Sequence, residues 1–238
     1  MHQSIWMLRG RSLHRQIRRA QTTALLLNPR PNDVILDVGC GDGFITSHFH
    51  NASFVVGVDL SWSLLLLARR KVKHSHINFV CADAANLPFR DSCFDKVTML
   101  ELLEHVPRET QERICHEVDR VLKKKGVLVI SVPYKEKITY VRCNGKLVPR
   151  WGHLWSMDED KVTALLPRQS YTLTTKYHLP NVELLSVAII FKHLPLRYWL
   201  LLNNMLGRLR KGYWILLKYV KNTKGKRLLK LAKRKGPY

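Results

Sequence analysis

The sequence predicts an α/β fold, a mostly parallel seven-stranded sheet in a three-layer sandwich. Short apolar, β-branched runs recur between Val34 and Val132, and patterns of helical spacing separate them, the signature of βαβ units. The first run, Val34 to Val38, passes directly into a turn that holds Gly39, Gly41 and Gly43. With 238 residues and 46% hydrophobic content, the chain can bury one sizeable core and carry additional segments.

The N-terminal segment is basic. Arg9, Arg11, Arg15, Arg18 and Arg19 all precede the first acid, Asp33. Leu13, Ile17, Ala20 and Ala24 fall at helical spacing, so Ser12 to Leu27 is expected to be an amphipathic helix ended by Asn28-Pro29. Residues 1–30 are read as this helical unit, with two roles open to it, a cover over the ligand or a helix packed on the domain edge, of which packing is the expectation.

Alternating glycines after the first strand let the backbone turn sharply and let a ligand approach the main chain. Helical character from Phe44 to His50 would present amides to that ligand; an ordinary strand–helix turn would use the same glycines. Phe54 to Val58 is the second strand and ends at Asp59, 16 residues after Gly43. In an open α/β sheet the ligand lies beyond the carboxyl ends of the strands, where an acid can accept from both ribose hydroxyls. Ser61 is the expected cap of a helix from Trp62 to Val72, which leaves Asp59 for a ligand.

Ile77 to Cys81 and Phe94 to Leu100 are the third and fourth strands. Pro107 opens a helix whose Ile114, Val118, Val121 and Leu122 share one face, and Lys123 to Gly126 close it. Val127 to Val132 is the fifth strand. Tyr134 to Arg150 reads as a long polar loop leading into Trp151-Gly152-His153-Leu154-Trp155; such loops are often lids or substrate walls. Ser156 and Glu159 have capping-box spacing for a helix from Met157 to Leu166. Tyr171 to Tyr177 and Val182 to Phe191 complete seven strands, and the sheet domain is placed at 31–193.

Net charge is +22, which implies an anionic partner. Glu183 is the last acid, and Leu184 to Tyr238 contain 14 Lys and Arg. With Tyr198, Trp199, Tyr213, Trp214 and Tyr219, residues 194–238 are expected to be a basic, aromatic-rich helical extension suited to an anionic membrane surface. The last basic stretch would equally grip RNA phosphates. Five cysteines without a CxxC pair suggest reduced thiols. No signal peptide or apolar span of transmembrane length is visible, so a cytoplasmic protein, peripheral on the inner face of the membrane, is expected.

The set LDVGCGDG, GVDLS, CADAANLPF, FDKVTMLELLEHVP and LKKKGVLVISVP resembles the class I S-adenosylmethionine-dependent methyltransferases, most closely the branch called methyltransferase type 11. The likeness covers roughly residues 32–133 and is specific as an ordered set. It implies a Rossmann-like fold and S-adenosyl-L-methionine as cofactor. By this resemblance Asp37, Gly39, Cys40 and Gly41 line the methionine and ribose end. Asp59 holds the ribose hydroxyls and Leu60 packs on adenine. Asp83 accepts from the adenine amino group with Ala84 beside the ring, and Glu101 lies near the methionine. The acids suit a cofactor carrying a sulfonium, an ammonium and a diol, and would repel a diphosphate.

The resemblance implies methyl transfer in which the protein aligns the acceptor and excludes water. For a hydroxyl acceptor, His105 and His153 are the candidate bases. Glu101, Glu104 and His105 also match an E-x-x-E-H pattern that binds a divalent metal in ubiquinone-type and small-RNA O-methyltransferases; the same letters stand in metal-free relatives, and no metal ligand is assigned. The expected acceptor is a small or lipid-linked molecule. The alternatives are RNA ribose methylation and a non-catalytic scaffold. No Asn/Asp-Pro-Pro-Tyr motif follows the fourth strand, which disfavours methylation of a base.

Overall fold

The computed structural model describes residues 10–179, 195, 198 and 214–223, with side chains from residue 16 onward. Helix α1 (Gly10–Leu27) leads into β1 (Val34–Val38), and β2 (Phe54–Asp59), α2 (Trp62–Lys71) and β3 (Ile77–Cys81) follow. Then come β4 (Phe94–Leu100), α3 (Arg108–Val121), β5 (Leu122–Pro133), β6 (Tyr140–Cys143) and β7 (Lys146–Pro149). The described part closes with α4 (Glu159–Leu165), β8 (Tyr171–Leu179) and β9 (Trp214–Lys221).

Seven strands form one sheet in the order β3-β2-β1-β4-β5-β9-β8, while β6 and β7 form a separate two-stranded sheet. The first five strands pair in parallel, and β9 runs antiparallel to both β5 and β8. The expected mostly parallel, seven-stranded α/β sandwich is therefore present. Strand order reverses between β1 and β4. In open α/β sheets such a reversal marks the ligand crevice, which here would lie beyond the carboxyl ends of β1, β2 and β4.

The strands are buried on both faces, which is why they read as near-continuous apolar runs. On one face Leu36, Val56, Val97 and Leu128 pack against Ile114, Val118 and Val121 of α3 and Val162 and Leu165 of α4. On the other, Ile35, Val55 and Val129 pack against Ala20 and Leu27 of α1 and Leu65 and Ala68 of α2.

One boundary moves. The extension assigned to 194–238 contributes Trp214–Lys221 to the sheet as one of its seven strands. Ile215, Leu216 and Leu217 are fully buried, with Ile215, Leu217 and Tyr219 facing one core layer and Leu216 the other. An apolar run with aromatic ends suits a membrane interface and a sheet interior alike; layers on both sides decide for the interior. Residues 182–191 and the rest of the extension lie outside the described residues, apart from 195, 198, 222 and 223.

Three local expectations are also corrected. Phe44 to His50 forms only a short 3₁₀ turn, Thr46–Phe49, because few residues separate the glycine turn from the start of β2. The polar loop after Pro133 contains the β6–β7 hairpin. Asn144 and Gly145 both have positive φ, 47° and 77°, as a two-residue type I′ turn requires. The Ser156/Glu159 capping box does not form: Asp158 caps α4 by accepting from Lys161 N at 3.0 Å. Met157 is held extended by a bridge to Tyr134, so the helix cannot begin there. Ser61 does cap α2, accepting from Leu64 N at 3.4 Å. Among the described residues no helix is long and apolar enough to cross a membrane.

Gly57 sits in the middle of β2, where a Cβ would lie 2.7 Å from Phe79 and 2.8 Å from the Cys40 sulfur. Gly57→Ala is expected to destabilise the fold by about 1–3 kcal/mol through overpacking. Urea unfolding at unchanged m-value would measure it.

Candidate active site

The first half of the site is the turn after β1. Gly39 N and Cys40 N donate to Val58 O at 2.8 and 3.0 Å, which ties the turn to the end of β2. Gly39, Gly41 and Gly43 have φ of 75°, 55° and 74°, values that residues with a Cβ adopt only with strain. A Cβ at Gly43 would lie 2.8 Å from Phe79, whereas Gly41 faces open space. The turn therefore packs inward at Gly43 and leaves main chain accessible at Gly41.

Asp59 stands opposite. One carboxylate oxygen accepts from Gly41 N at 2.9 Å and the other from Ser61 N at 2.8 Å. These two amides fix the carboxylate in the crevice, and each oxygen keeps a second lone pair for a ligand donor. Leu60 beside it is 70% exposed, an apolar side chain next to the anchored carboxylate. Asp83 is exposed at the end of β3 and accepts from Ala85 N at 2.8 Å. Ala82 N donates to Asp59 O at 3.2 Å, so the β2 and β3 ends bearing the two acids are stitched together. Ala84 is half-buried next to Asp83.

Asp37 and Cys40 are placed differently from these exposed groups. Asp37 lies beneath the turn, 2% exposed, and accepts from Thr46 Oγ1 and Thr98 Oγ1, both at 2.6 Å. Burial raises its pKa, with the two hydroxyls opposing. Cys40 turns its sulfur toward Gly57, and burial, reinforced by Asp37 and Asp59, pushes its thiol pKa up. Cys40 O accepts from Gly43 N at 3.1 Å, so both main-chain groups of Cys40 hold the turn together, and its thiol is kept protonated.

The second half follows β4. Glu101 has φ 54°, and its amide donates to Ser131 O at 2.9 Å. Its carboxylate accepts from Ser131 Oγ at 3.2 Å and from the Arg19 guanidinium of α1. Arg19 also lies over the Trp214 ring, 5.8 Å from its centre. The N-terminal helix thereby reaches across to the site, as well as packing on the sheet.

Glu104 is fully buried, and neither carboxylate oxygen has a hydrogen-bond partner among the described residues. Burial and the nearby Glu101 charge raise its pKa well above the ordinary carboxylate range. His105 and His153, 48 positions apart in sequence, meet edge to face with ring centres 4.8 Å apart. His105 Nδ1 lies 3.2 Å from Gly152 O. Gly152 has φ 73°, and a Cβ there would lie 3.5 Å from that same nitrogen. Burial and His153 lower the His105 pKa, so its neutral form is favoured. His153 Nδ1 pairs with the Glu136 carboxylate.

Those partners fix the tautomers. Gly152 O and a carboxylate can only accept, so both histidines are assigned a proton on Nδ1, which leaves Nε2 facing away from these partners. One ligand atom each from Glu104, His105 and His153 lies within 4.8 Å of the others. Two imidazoles and a carboxylate form a donor set that suits a divalent transition metal. Glu101, the other acid of the E-x-x-E-H pattern, is engaged by Arg19 and Ser131 instead.

Glu136 and Arg19 carry no local sequence signal for these roles; each meets its partner only through the fold. The hairpin, expected as a polar loop, did carry a signal: Asn144-Gly145 between Tyr140-Val141 and Leu147-Val148 has the spacing of a tight β-turn.

Known proteins resemble this chain in sequence and in fold. A methyltransferase-domain family model matches residues 36–130. An uncharacterized protein of Methanocaldococcus jannaschii is 28% identical over 195 residues, 79% of this chain and 78% of that one. The ubiquinone biosynthesis O-methyltransferase of Coxiella burnetii is 35% identical over 100 residues, 41% of this chain and 42% of its own length. The ubiquinone/menaquinone biosynthesis C-methyltransferase of Vibrio cholerae is 31% identical over 144 residues, 55% of each chain. The chain thus spans about half the length of these last two relatives. The crystal structure of an S-adenosylmethionine-dependent methyltransferase from Mesorhizobium loti has the same fold, with a TM-score of 0.59 at 19% identity over 84% of this chain and 97% of that one.

Proposed function

Because the chain carries a methyltransferase domain of the class I S-adenosylmethionine-dependent family, we propose that it methylates a hydroxyl on a small or lipid-linked acceptor. The observation that carries this reading is the Glu136–His153–His105 arrangement beside the crevice. S-adenosyl-L-methionine, the cofactor of this family, supplies a methyl group already activated on a sulfonium. The residues present fit it: an anchored diol acceptor in Asp59, an exposed apolar face in Leu60, an exposed acid in Asp83 and open main chain at Gly41. Asp37 acts from beneath the turn, through its charge and by bracing the glycine segment.

The protein's own chemistry is then proton handling and orientation. His153 Nε2 accepts the proton of an acceptor hydroxyl, and Glu136 stabilises the imidazolium that forms and fixes the ring. His105, kept neutral, positions its partner ring by edge-to-face contact and lends a second lone pair. General-base catalysis of this kind contributes about 10²–10⁴-fold.

His153→Ala is therefore expected to lower kcat by about 10²–10⁴-fold, with cofactor affinity unchanged by calorimetry. Glu136→Gln is expected to lower kcat less, because the neutral amide no longer stabilises the imidazolium that forms. Unchanged kcat in both variants would sink the base assignment. The acceptor class is tested by incubating fractionated cell extract with the protein and methyl-labelled cofactor. Label in the lipid or small-molecule fraction supports the reading. Label confined to RNA replaces it with the ribose reading that the +22 charge favours, and no label with intact cofactor binding favours a scaffold.

A further inference from the structure

Among the described residues the β6–β7 hairpin stands apart from the main sheet. It forms its own two-stranded sheet, and such a pair is marginal in water unless something covers it. Its register places Tyr140 and Leu147 on one face with Arg142, and Val141 and Val148 on the other with Lys146. Tyr140 is 60% and Leu147 is 67% exposed. At its base Trp151, Leu154 and Trp155 are also exposed, and Arg150 lies over the Trp151 ring, 5.1 Å from its centre. From Lys137 to Met157 the chain carries four cations, Lys137, Arg142, Lys146 and Arg150, and no acid.

We propose that this hairpin and the Trp151–Trp155 segment at its base form a docking surface for an anionic lipid bilayer. Cations complement anionic headgroups, while Tyr and Trp rings suit the headgroup depth and Leu the acyl boundary. Single-stranded nucleic acid would be met by stacked aromatic rings in a charged groove; exposed Leu147, Val141 and Leu154 offer it nothing. The surface is also wired to the candidate active site. Gly152 O meets His105, Leu154 N donates to Glu104 O at 2.7 Å, and Trp155 Nε1 donates to Val106 O at 2.9 Å. A docked hairpin sets the histidine pair beside the membrane, where a lipid-linked acceptor would be presented. The inference deepens that acceptor reading, but its test does not depend on turnover.

The full chain is mixed with vesicles of phosphatidylcholine alone or with added phosphatidylglycerol, and binding is read by co-sedimentation. Peptide-resolved hydrogen exchange follows residues 138–155. The expected result is binding to the anionic vesicles, with exchange in 138–155 slowed. Tyr140→Ser/Leu147→Ser and Arg142→Glu/Lys146→Glu should each weaken it at least tenfold. Both variants should retain wild-type affinity for S-adenosylhomocysteine, which certifies their fold. Unchanged vesicle affinity in both variants, equal binding to neutral vesicles, or protection of 138–155 by an RNA oligomer and not by vesicles would each overturn the proposal. If vesicle binding follows the hairpin while label never enters lipid, only the lipid-linked acceptor falls.

Discussion

Asp59→Ala is expected to weaken S-adenosyl-L-methionine binding by about 30- to 1,000-fold. The estimate follows from two hydrogen bonds to a charged acceptor, worth about 2–4 kcal/mol together. The structure explains why this acid should matter more than its neighbours. Gly41 N and Ser61 N hold the two oxygens at 2.9 and 2.8 Å, so the carboxylate is oriented before a ligand arrives and little ordering cost remains. Asp83 is exposed and is anchored through one oxygen to Ala85 N; Asp83→Ala should cost less. Calorimetric titration of cofactor into each variant, with thermal unfolding as a control, gives both numbers. An Asp59→Ala affinity within threefold of wild type would remove the ribose assignment, and with it the main argument for how the crevice reads its ligand.

Glu104→Gln is expected to alter the pH dependence of stability. The folded pKa of Glu104 is raised, chiefly by burial and then by Glu101, whereas in the unfolded chain it titrates near the ordinary value of about 4.3. Below that value both states hold the proton and the group contributes no pH dependence. As pH rises above it, the unfolded chain releases a proton that the folded chain keeps, so the folded state loses stability until its own pKa is passed. The slope is about 1.4 kcal/mol per pH unit within the window. Glu104→Gln cannot ionise, so its stability relative to wild type should improve as pH rises above about 4.3 in urea unfolding, and level off once the raised folded pKa is passed. His105 acts at the other end. Its folded pKa is lowered, so it costs stability as pH falls below about 6.5.

A divalent metal at Glu104, His105 and His153 would reverse the first result. With Mn²⁺ or Zn²⁺ present, wild type would be stabilised, and the variant, lacking a charged ligand, would not. Titration calorimetry with Mg²⁺, Mn²⁺ and Zn²⁺ on both proteins separates a buried neutral acid from a metal ligand.

Much of the fold was legible because its signals are local. The runs at Val34, Phe54, Ile77 and Phe94 are strands because β-branched apolar residues suit a sheet covered on both faces, and their polar ends mark the crevice. Where residue chemistry supports two environments, the reading failed. Trp214 to Lys221 has the composition of an interfacial helix and is an interior strand, since its alternate side chains reach both core layers. Ser156 and Glu159 have the letters of a capping box, yet the bridge from Met157 to Tyr134 leaves Asp158 to cap the helix.

The site divides along the same line. The sequence by itself placed the glycine turn after β1 and acids at the ends of β2 and β3, because strand connectivity in a βαβ unit puts successive strand ends on one edge of the sheet. It could not show that Asp37 is turned inward to two threonines, that Arg19 binds Glu101, or that His153 leans on Glu136 beside His105. Those pairings join residues 9 to 82 positions apart. Only packing decides them, because a buried carboxylate takes whichever donors the closed fold brings within reach. Glu104, which finds none among the described residues, is where the tertiary structure leaves the chemistry most exposed to experiment.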